Sequence, residues 1–436
     1  MTIASFSCFT RRGFLAAGLA TAAPQALFAQ TPTADRAAGD SGSPSRATSA
    51  KKLRVAAINS IFRFRSHSYH IVGRLVHGFQ KDGVHHQPHV EVVRMYNHQS
   101  PADDLSREFC RRHGIELVDT PAKALGGPGR LDVDAVALII EHGDYPVNEF
   151  GQILYPRYEH FQQVAEVFRA AGRTAPVFID KHLSYDHQRA REMVATAREL
   201  GFPLMAGSSL PVTWRVPQLE LPLEAPLAEG VVAFGYDRGP AEIYLFHALE
   251  ALQCMLERRR GGETGVKSVV GLAGDAVWKA CDDGRIAWPL VLEAIGRSPS
   301  ANVGPIRENV TRPQAILIEY TDGTRGAVLN LIEAVTDFCF AGRLAGRDAP
   351  VSCYFDLPLP PGARFFDPLT YHIEQFFHTG RPPYPVERTL LTSTVLDLGL
   401  HSLKENGRPI SSPHLAVRYA APASSGFFRG PVADRY

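Results

Sequence analysis

The chain has 436 residues, is 45% apolar and 21% charged, and carries a formal net charge of +1. That balance is ordinary for a globular protein and leaves no global field that would attract nucleic acid or an anionic membrane surface. The length exceeds what one hydrophobic core usually serves, so two domains are expected.

The first segment in chain order is an address. Thr10-Arg11-Arg12-Gly13-Phe14-Leu15 opens an uncharged apolar run from Ala16 to Ala29. A basic start, a short apolar stretch and a small residue at the cleavage point predict a signal peptide over residues 1–29. The paired arginines predict the twin-arginine route, which carries folded proteins. The export machinery is therefore an expected partner, and the expected location is periplasmic or otherwise exported. The apolar run is shorter than the roughly 20 residues needed to span a bilayer, so no stable anchor is expected. Residues 30–50, rich in Ala, Ser, Thr, Gly and Pro without an apolar period, predict a disordered linker.

From residue 51 the chain alternates strand and helix patterns. Strands are predicted at Leu53–Ile58, Val90–Tyr96, Asp134–Ile140, Pro176–Asp180 and Pro203–Gly207. Between them, helices are predicted at Tyr69–Lys81, Asp104–His113, Tyr158–Ala171 and His187–Leu200. Such alternation implies right-handed crossovers and a doubly wound, Rossmann-like parallel sheet over residues 51–210. The pattern then changes. A strand at Glu229–Tyr236 and a long helix at Ala241–Arg259 precede short strands at Val266–Val270, Gln314–Tyr320 and Gly326–Glu333. Thr321-Asp322-Gly323-Thr324 is a hairpin signal between the last two. Phe366–Phe377 and Thr389–Asn406 read as closing helices, so residues 211–436 predict an α+β domain with an open, mainly antiparallel sheet. Such a sheet often covers its outer face with a second copy, and a homo-oligomer is expected. Five of the six cysteines follow the leader, with no C-x-x-C pair, and read as buried small hydrophobes. Arg258-Arg259-Arg260 reads as a solvated helix end.

Chemistry-bearing residues gather where the predicted parallel strands end, which is where open parallel sheets bind ligands. Asp180-Lys181-His182 follows the fourth strand; Lys181 there suits acid/base work on a hydroxyl or carbonyl, although a surface loop lysine would look the same locally. Glu141-His142-Gly143-Asp144-Tyr145-Pro146 follows the third strand and offers donors and acceptors suited to sugar hydroxyls. Glu141, His142 and Asp144 could also bind metal, but their spacing matches no established pattern, and no metal is expected. His247 stands in the long second-domain helix with Glu250 three residues on, on the same face; a core histidine would share that context. Histidines 67, 70, 85, 86, 89 and 98 crowd the first domain, where His85, His86 and His89 read as a solvated insertion. After the first strand the chain reads Asn59-Ser60-Ile61-Phe62-Arg63-Phe64, with no G-x-G-x-x-G, and the second strand ends at Tyr96-Asn97 rather than at an acidic residue.

These motifs, in this order, resemble the Gfo/Idh/MocA family, named for glucose–fructose oxidoreductase and inositol dehydrogenase. The resemblance runs from about Leu53 to Pro413. Asp180-Lys181-His182 stands where the family has Glu-Lys-Pro, His247 with Glu250 resembles its His-x-x-Asp, and the segment from His401 to Pro409 resembles its closing Ser-x-x-x-x-Gly-x-x-Val. The resemblance implies hydride transfer between a carbohydrate or polyol and NAD or NADP, with Lys181 orienting or protonating the substrate oxygen and His247 as general acid/base. The nucleotide would be held by Asn59, Ser60, Arg63, Glu141 and Asp180, and the carbohydrate by His142, Asp144, Tyr145 and Glu250. Three positions depart from the family pattern: the phosphate-loop glycines are missing, Ile243 replaces an Asp, and His182 replaces the Pro. Two functions are therefore in competition. One is an exported sugar or polyol oxidoreductase; the other is a member that has lost the nucleotide and acts as a carbohydrate-binding protein, lyase or hydrolase.

Overall fold

The computed structural model describes residues 51–358 and 362–430. The expected signal peptide and linker lie outside the described residues.

The first sheet is built from near-continuous apolar strands. β1 (Leu53–Asn59) leads through a loop to α1 (His67–His77), then to a small hairpin of β2 (Phe79–Lys81) and β3 (Val84–His86), and on to β4 (Val90–Asn97). There follow α2 (Ser106–His113), β5 (Glu116–Val118), α3 (Pro121–Leu125), β6 (Ala135–Ile139), α4 (Arg157–Ala171), β7 (Val177–Asp180), α5 (His187–Leu200) and β8 (Leu204–Gly207). β6, β7 and β8 are buried at every residue, as befits strands covered on both faces. The strand order β5-β4-β1-β6-β7-β8 is all parallel and reverses direction at β1/β6, the doubly wound plan with its ligand crevice at that junction.

The helix predicted to reach Lys81 stops at His77. Gly78 takes φ +79° and its N–H bonds the Arg74 carbonyl. Asp82 and Gly83 both take positive φ, +52° and +78°, and turn the chain into the β2–β3 hairpin. Gly78 inside the expected helix and the Asp82-Gly83 dipeptide just past its end were the visible signals.

The second sheet holds β9 (Trp214–Val216), β10 (Leu227–Phe234), β11 (Val266–Ala273), β12 (Gln314–Tyr320), β13 (Arg325–Asn330), β14 (Phe338–Leu344) and β15 (Val351–Asp356). Its order is β11-β12-β13-β10-β14-β15-β9, antiparallel except where β10 pairs with β13. The predicted hairpin joins β12 and β13. α6 (Ala241–Leu256) lies on one face, and α7 (Asp275–Asp282) and α8 (Trp288–Ile295) on the other; α9 (Ile306–Asn309) is short. The chain then returns to the first sheet. α10 (Phe366–Thr379) packs on α1 through Phe366, Leu369 and Ile373, and α11 (Val386–Lys404) wedges between α5, α6 and β11.

The Arg258–Arg260 run is not a solvated helix end. Arg259 is 1% exposed, held by Glu263 at 3.0 Å and Asp322 at 2.7 Å, and Arg258 donates to the Leu221 carbonyl. Only Arg260 faces solvent. Glu263 is only four residues on, but Asp322 and Glu220, which pair with Arg259 and Arg258, come from distant segments beyond the reach of a local reading. The five described cysteines are free and buried. Among the described residues no helix is long and apolar enough to cross a membrane.

Candidate functional site

Side chains from both sheets converge on the carboxyl ends of β6 and β7. β6 delivers Glu141 and His142 just past its last residue, and β7 delivers Asp180 and Lys181. The Lys181–His182 peptide is cis. Lys181 Nζ lies 3.2 Å from Glu141 Oε1, while Arg157, at the start of α4, donates to Glu141 Oε2 at 2.5 Å. All three side chains are at most 3% exposed. Burial alone would raise the Glu141 carboxyl, but Lys181 and Arg157 hold it well below the usual carboxylate range. His142 has a positive φ of 68°, and its N–H donates to the Tyr155 hydroxyl at 3.2 Å. Burial, then the neighbouring His67, lowers the His142 imidazole to about 4, so it is neutral at physiological pH.

His67 enters from the first turn of α1. Ser66 caps that helix by accepting the Tyr69 N–H, which sets the entry angle of the turn. The His67 imidazole then crosses the β1/β6 crevice, and its Nδ1 meets Asp180 Oδ2 at 2.6 Å. Its ring stands edge-on to His142 at 4.9 Å and to Phe366 at 5.0 Å.

From the second sheet, α6 brings His247 and Glu250. Gly207, at the end of β8, takes φ +135°; a Cβ there would lie 2.7 Å from Glu250 Oε1 and from the Tyr384 hydroxyl, so glycine lets the strand end meet the helix. Ser208 follows. Its N–H donates to Glu250 Oε1 at 3.0 Å, its hydroxyl donates to Glu250 Oε2, and its oxygen lies 2.9 Å from His247 Nδ1. With the hydroxyl proton directed to the carboxylate, the serine oxygen accepts from Nδ1–H, which leaves His247 Nε2 bare. Burial, reinforced by Lys181, pushes the His247 imidazole well below its ordinary value. Burial raises Glu250 to about 7. His247 is 13% exposed, enough to reach a substrate, whereas Glu250 is fully enclosed. Next to Ile243, Glu242 faces inward, 3.3 Å from His182 Nε2, and accepts the Ile153 N–H at 2.8 Å.

The other predicted positions surround this centre. Ser60 donates to the Glu141 carbonyl at 2.7 Å and so ties β1 to the loop after β6. Asn59 Nδ2 donates to Asn97 Oδ1 at 3.0 Å, while Asn59 Oδ1 and Asn97 Nδ2 are buried without partners. Arg63 stands on an exposed loop, 3.4 Å from Asp103. Ile61 and Phe62, the bulky residues in place of glycines, turn into the core, with Phe62 against Phe109 at 4.8 Å. Asp144 stays exposed, and Gln99 binds its N–H at 2.9 Å and its carbonyl at 2.8 Å. The Tyr145 hydroxyl meets His98 Nδ1 at 2.9 Å on the rim. Lys181, His247, Glu141, Asp180, His142 and Glu250 are thus brought together, and Arg63, Asp144 and Tyr145 are not. His67, Arg157 and Ser208 also belong to the centre; Arg157 stood in the polar run after the third strand, whereas Ser208 carried no local signal. Only the density of histidines in the first domain pointed toward His67.

No family model matches the chain, and no curated protein matches it in sequence. Solved structures do match in fold. GenD2 of gentamicin A biosynthesis, solved in complex with NAD, is 14% identical; the match covers 83% of this chain and 97% of that one, with a TM-score of 0.50. A putative myo-inositol dehydrogenase from Sinorhizobium meliloti 1021 gives 14%, 83%, 99% and 0.50. A probable dehydrogenase from Thermotoga maritima gives 13%, 82%, 98% and 0.51. At this identity the likeness is one of fold. A Rossmann-like parallel sheet followed by a mixed, mostly antiparallel sheet is common to all.

Proposed function

We propose that this chain is an NAD(P)-dependent oxidoreductase of the Gfo/Idh/MocA type, acting on a hydroxyl-bearing carbon of a carbohydrate or polyol. The observation that carries the reading is the meeting of Lys181, at the end of β7, and His247, on α6, at the carboxyl edge of the first sheet. The chain's own residues also suit the nucleotide. Asn59 and Asn97 offer buried amide atoms without partners at the ends of β1 and β4. Ile61 and Phe62 are buried in the core, and Arg63 lies on an exposed loop, paired with Asp103. A cavity of about 520 Å³ opens at the ends of β4 and β5, lined by Asn97, Ser100, Arg107, Leu117, Val118 and Lys123 and by the acidic Glu116 and Asp119. A nicotinamide nucleotide held along this edge of the sheet would supply or accept hydride. On the protein side, His247 Nε2 takes the proton of the substrate hydroxyl. The charge formed on the imidazole is relieved through Nδ1, the Ser208 hydroxyl and the Glu250 carboxylate. Lys181 Nζ, held by Glu141, donates to the substrate oxygen and stabilises negative charge as it develops.

The His67–Asp180 contact across the crevice and the missing glycines favour a second reading, a nucleotide-free carbohydrate-binding protein, lyase or hydrolase. Mass spectrometry of small molecules released from the denatured protein separates the two. Stoichiometric NAD(P), with a loss of about 10²–10⁴ in kcat/KM for His247→Gln, is the expected result. A protein that carries none and binds none when it is added would sink the oxidoreductase reading. We further propose that the protein is exported folded by the twin-arginine route to the periplasm. A homo-oligomer is part of the same proposal.

A further inference from the structure

We propose that His67, His142 and Glu141 form a binding site for one divalent transition-metal cation of the zinc type. Their ligand atoms lie within 4.8 Å of one another. Two imidazoles and one carboxylate are the donor set that borderline cations prefer, and three protein ligands leave a position open for a substrate oxygen.

The supports behind these ligands are those of a metal centre. Asp180, 1% exposed, engages His67 Nδ1 at 2.6 Å, which leaves Nε2 as the ligand nitrogen; its other oxygen is buried without a partner. Arg157 fixes the Glu141 carboxylate from behind, through Oε2. The His142 backbone is pinned by Tyr155, and its ring stands edge-on to His67. Both imidazoles are partly exposed to the crevice, so the site has an entry. The ligands come from α1 and from the loop after β6, and this is why their spacing in the chain matches no motif. Asp144, the third ligand suggested by sequence proximity, is exposed on the rim, and His67 stands in its place.

One contact makes the proposal specific. Lys181 Nζ sits 3.2 Å from Glu141 Oε1, so an incoming cation competes with the lysine ammonium for the same carboxylate. Removing Lys181 should therefore tighten metal binding, although it removes a residue of the site. The proposal goes beyond the oxidoreductase reading and adds a cation able to polarise the substrate hydroxyl beside Lys181.

The test is titration of Zn²⁺ into chelator-stripped full-length mature protein against a chromophoric competitor, with circular dichroism on each variant. One zinc per chain is expected. Asp180→Asn should weaken binding about 10–100-fold, and His67→Gln and His142→Gln should weaken it further. Lys181→Met should strengthen it. No stoichiometric zinc, or affinity unchanged in folded His67→Gln and His142→Gln, as when His85 and His89 bind the ion instead, would overturn the proposal. Weaker binding by Lys181→Met would overturn it as well. Nucleotide content measured on the same batch keeps the readings apart. Zinc without nucleotide removes only the oxidoreductase reading, and nucleotide without zinc removes only this one.

Discussion

Glu250 holds its proton up to about pH 7 because it is fully buried, although two hydrogen bonds from Ser208 favour the charged form. In the unfolded chain an ordinary glutamate loses that proton near pH 4.5. The folded state therefore binds more protons between these values. The contribution of Glu250 to stability is complete below pH 4.5 and is lost as pH rises through 7. Glu141 acts in the opposite sense: its depressed carboxyl stabilises the fold above the ordinary glutamate value, and that contribution is lost only in acid. Urea denaturation of the wild type and Glu250→Gln across pH 5–8 should show the variant gaining on the order of 3 kcal/mol relative to wild type toward pH 8. Parallel pH profiles for the two proteins would disprove the assignment. At this scale the sequence was partly legible. Lys181 and His247 stood out through their neighbours and their order. Ser208 and His67 did not, because their partners lie 39 and 113 residues away.

Elements meet through buried charge as well as apolar surface. Arg388 of α11 and Glu257, which follows α6, are each 1% exposed and 2.5 Å apart. The Tyr419 hydroxyl bonds the same carboxylate at 2.8 Å, and the Arg388 guanidinium lies 4.1 Å over the Tyr384 ring. Removing one partner leaves an uncompensated buried charge, so Arg388→Met should cost about 3–5 kcal/mol, read as a fall in Tm. The double variant Arg388→Met/Glu257→Gln should recover part of it. If the single variant melted with the wild type, the pair would not be what joins α6 to α11. Helix ends were readable where a glycine stops the helix: Gly114, Gly172 and Gly201 follow α2, α4 and α5 with φ between +63° and +70°. The burial of the Arg258–Arg259 pair was not, because a helical-looking run gives no account of the tertiary partners that claim it.

At the scale of the whole molecule, the return of α10 and α11 onto the first sheet closes the crevice, since Phe366 packs against His67. If export follows the twin-arginine route, Arg11→Lys/Arg12→Lys should abolish periplasmic accumulation of the full-length protein in a host with that machinery. Accumulation undiminished by the change would disprove it. Sedimentation of the exported product tests the proposed oligomer, with a monomer at micromolar concentration counting against it. Apolar periodicity and glycine punctuation in the sequence alone determined most of the alternating strands and helices, the parallel first sheet and the mainly antiparallel sheet that follows it, because those signals depend on neighbours within a few residues. Only the tertiary structure decided which side chains share the crevice. His67, Glu141, His142, Lys181 and His247 come from segments far apart in sequence, and nothing but the order of the strands and the docking of α6 puts them within reach of one another.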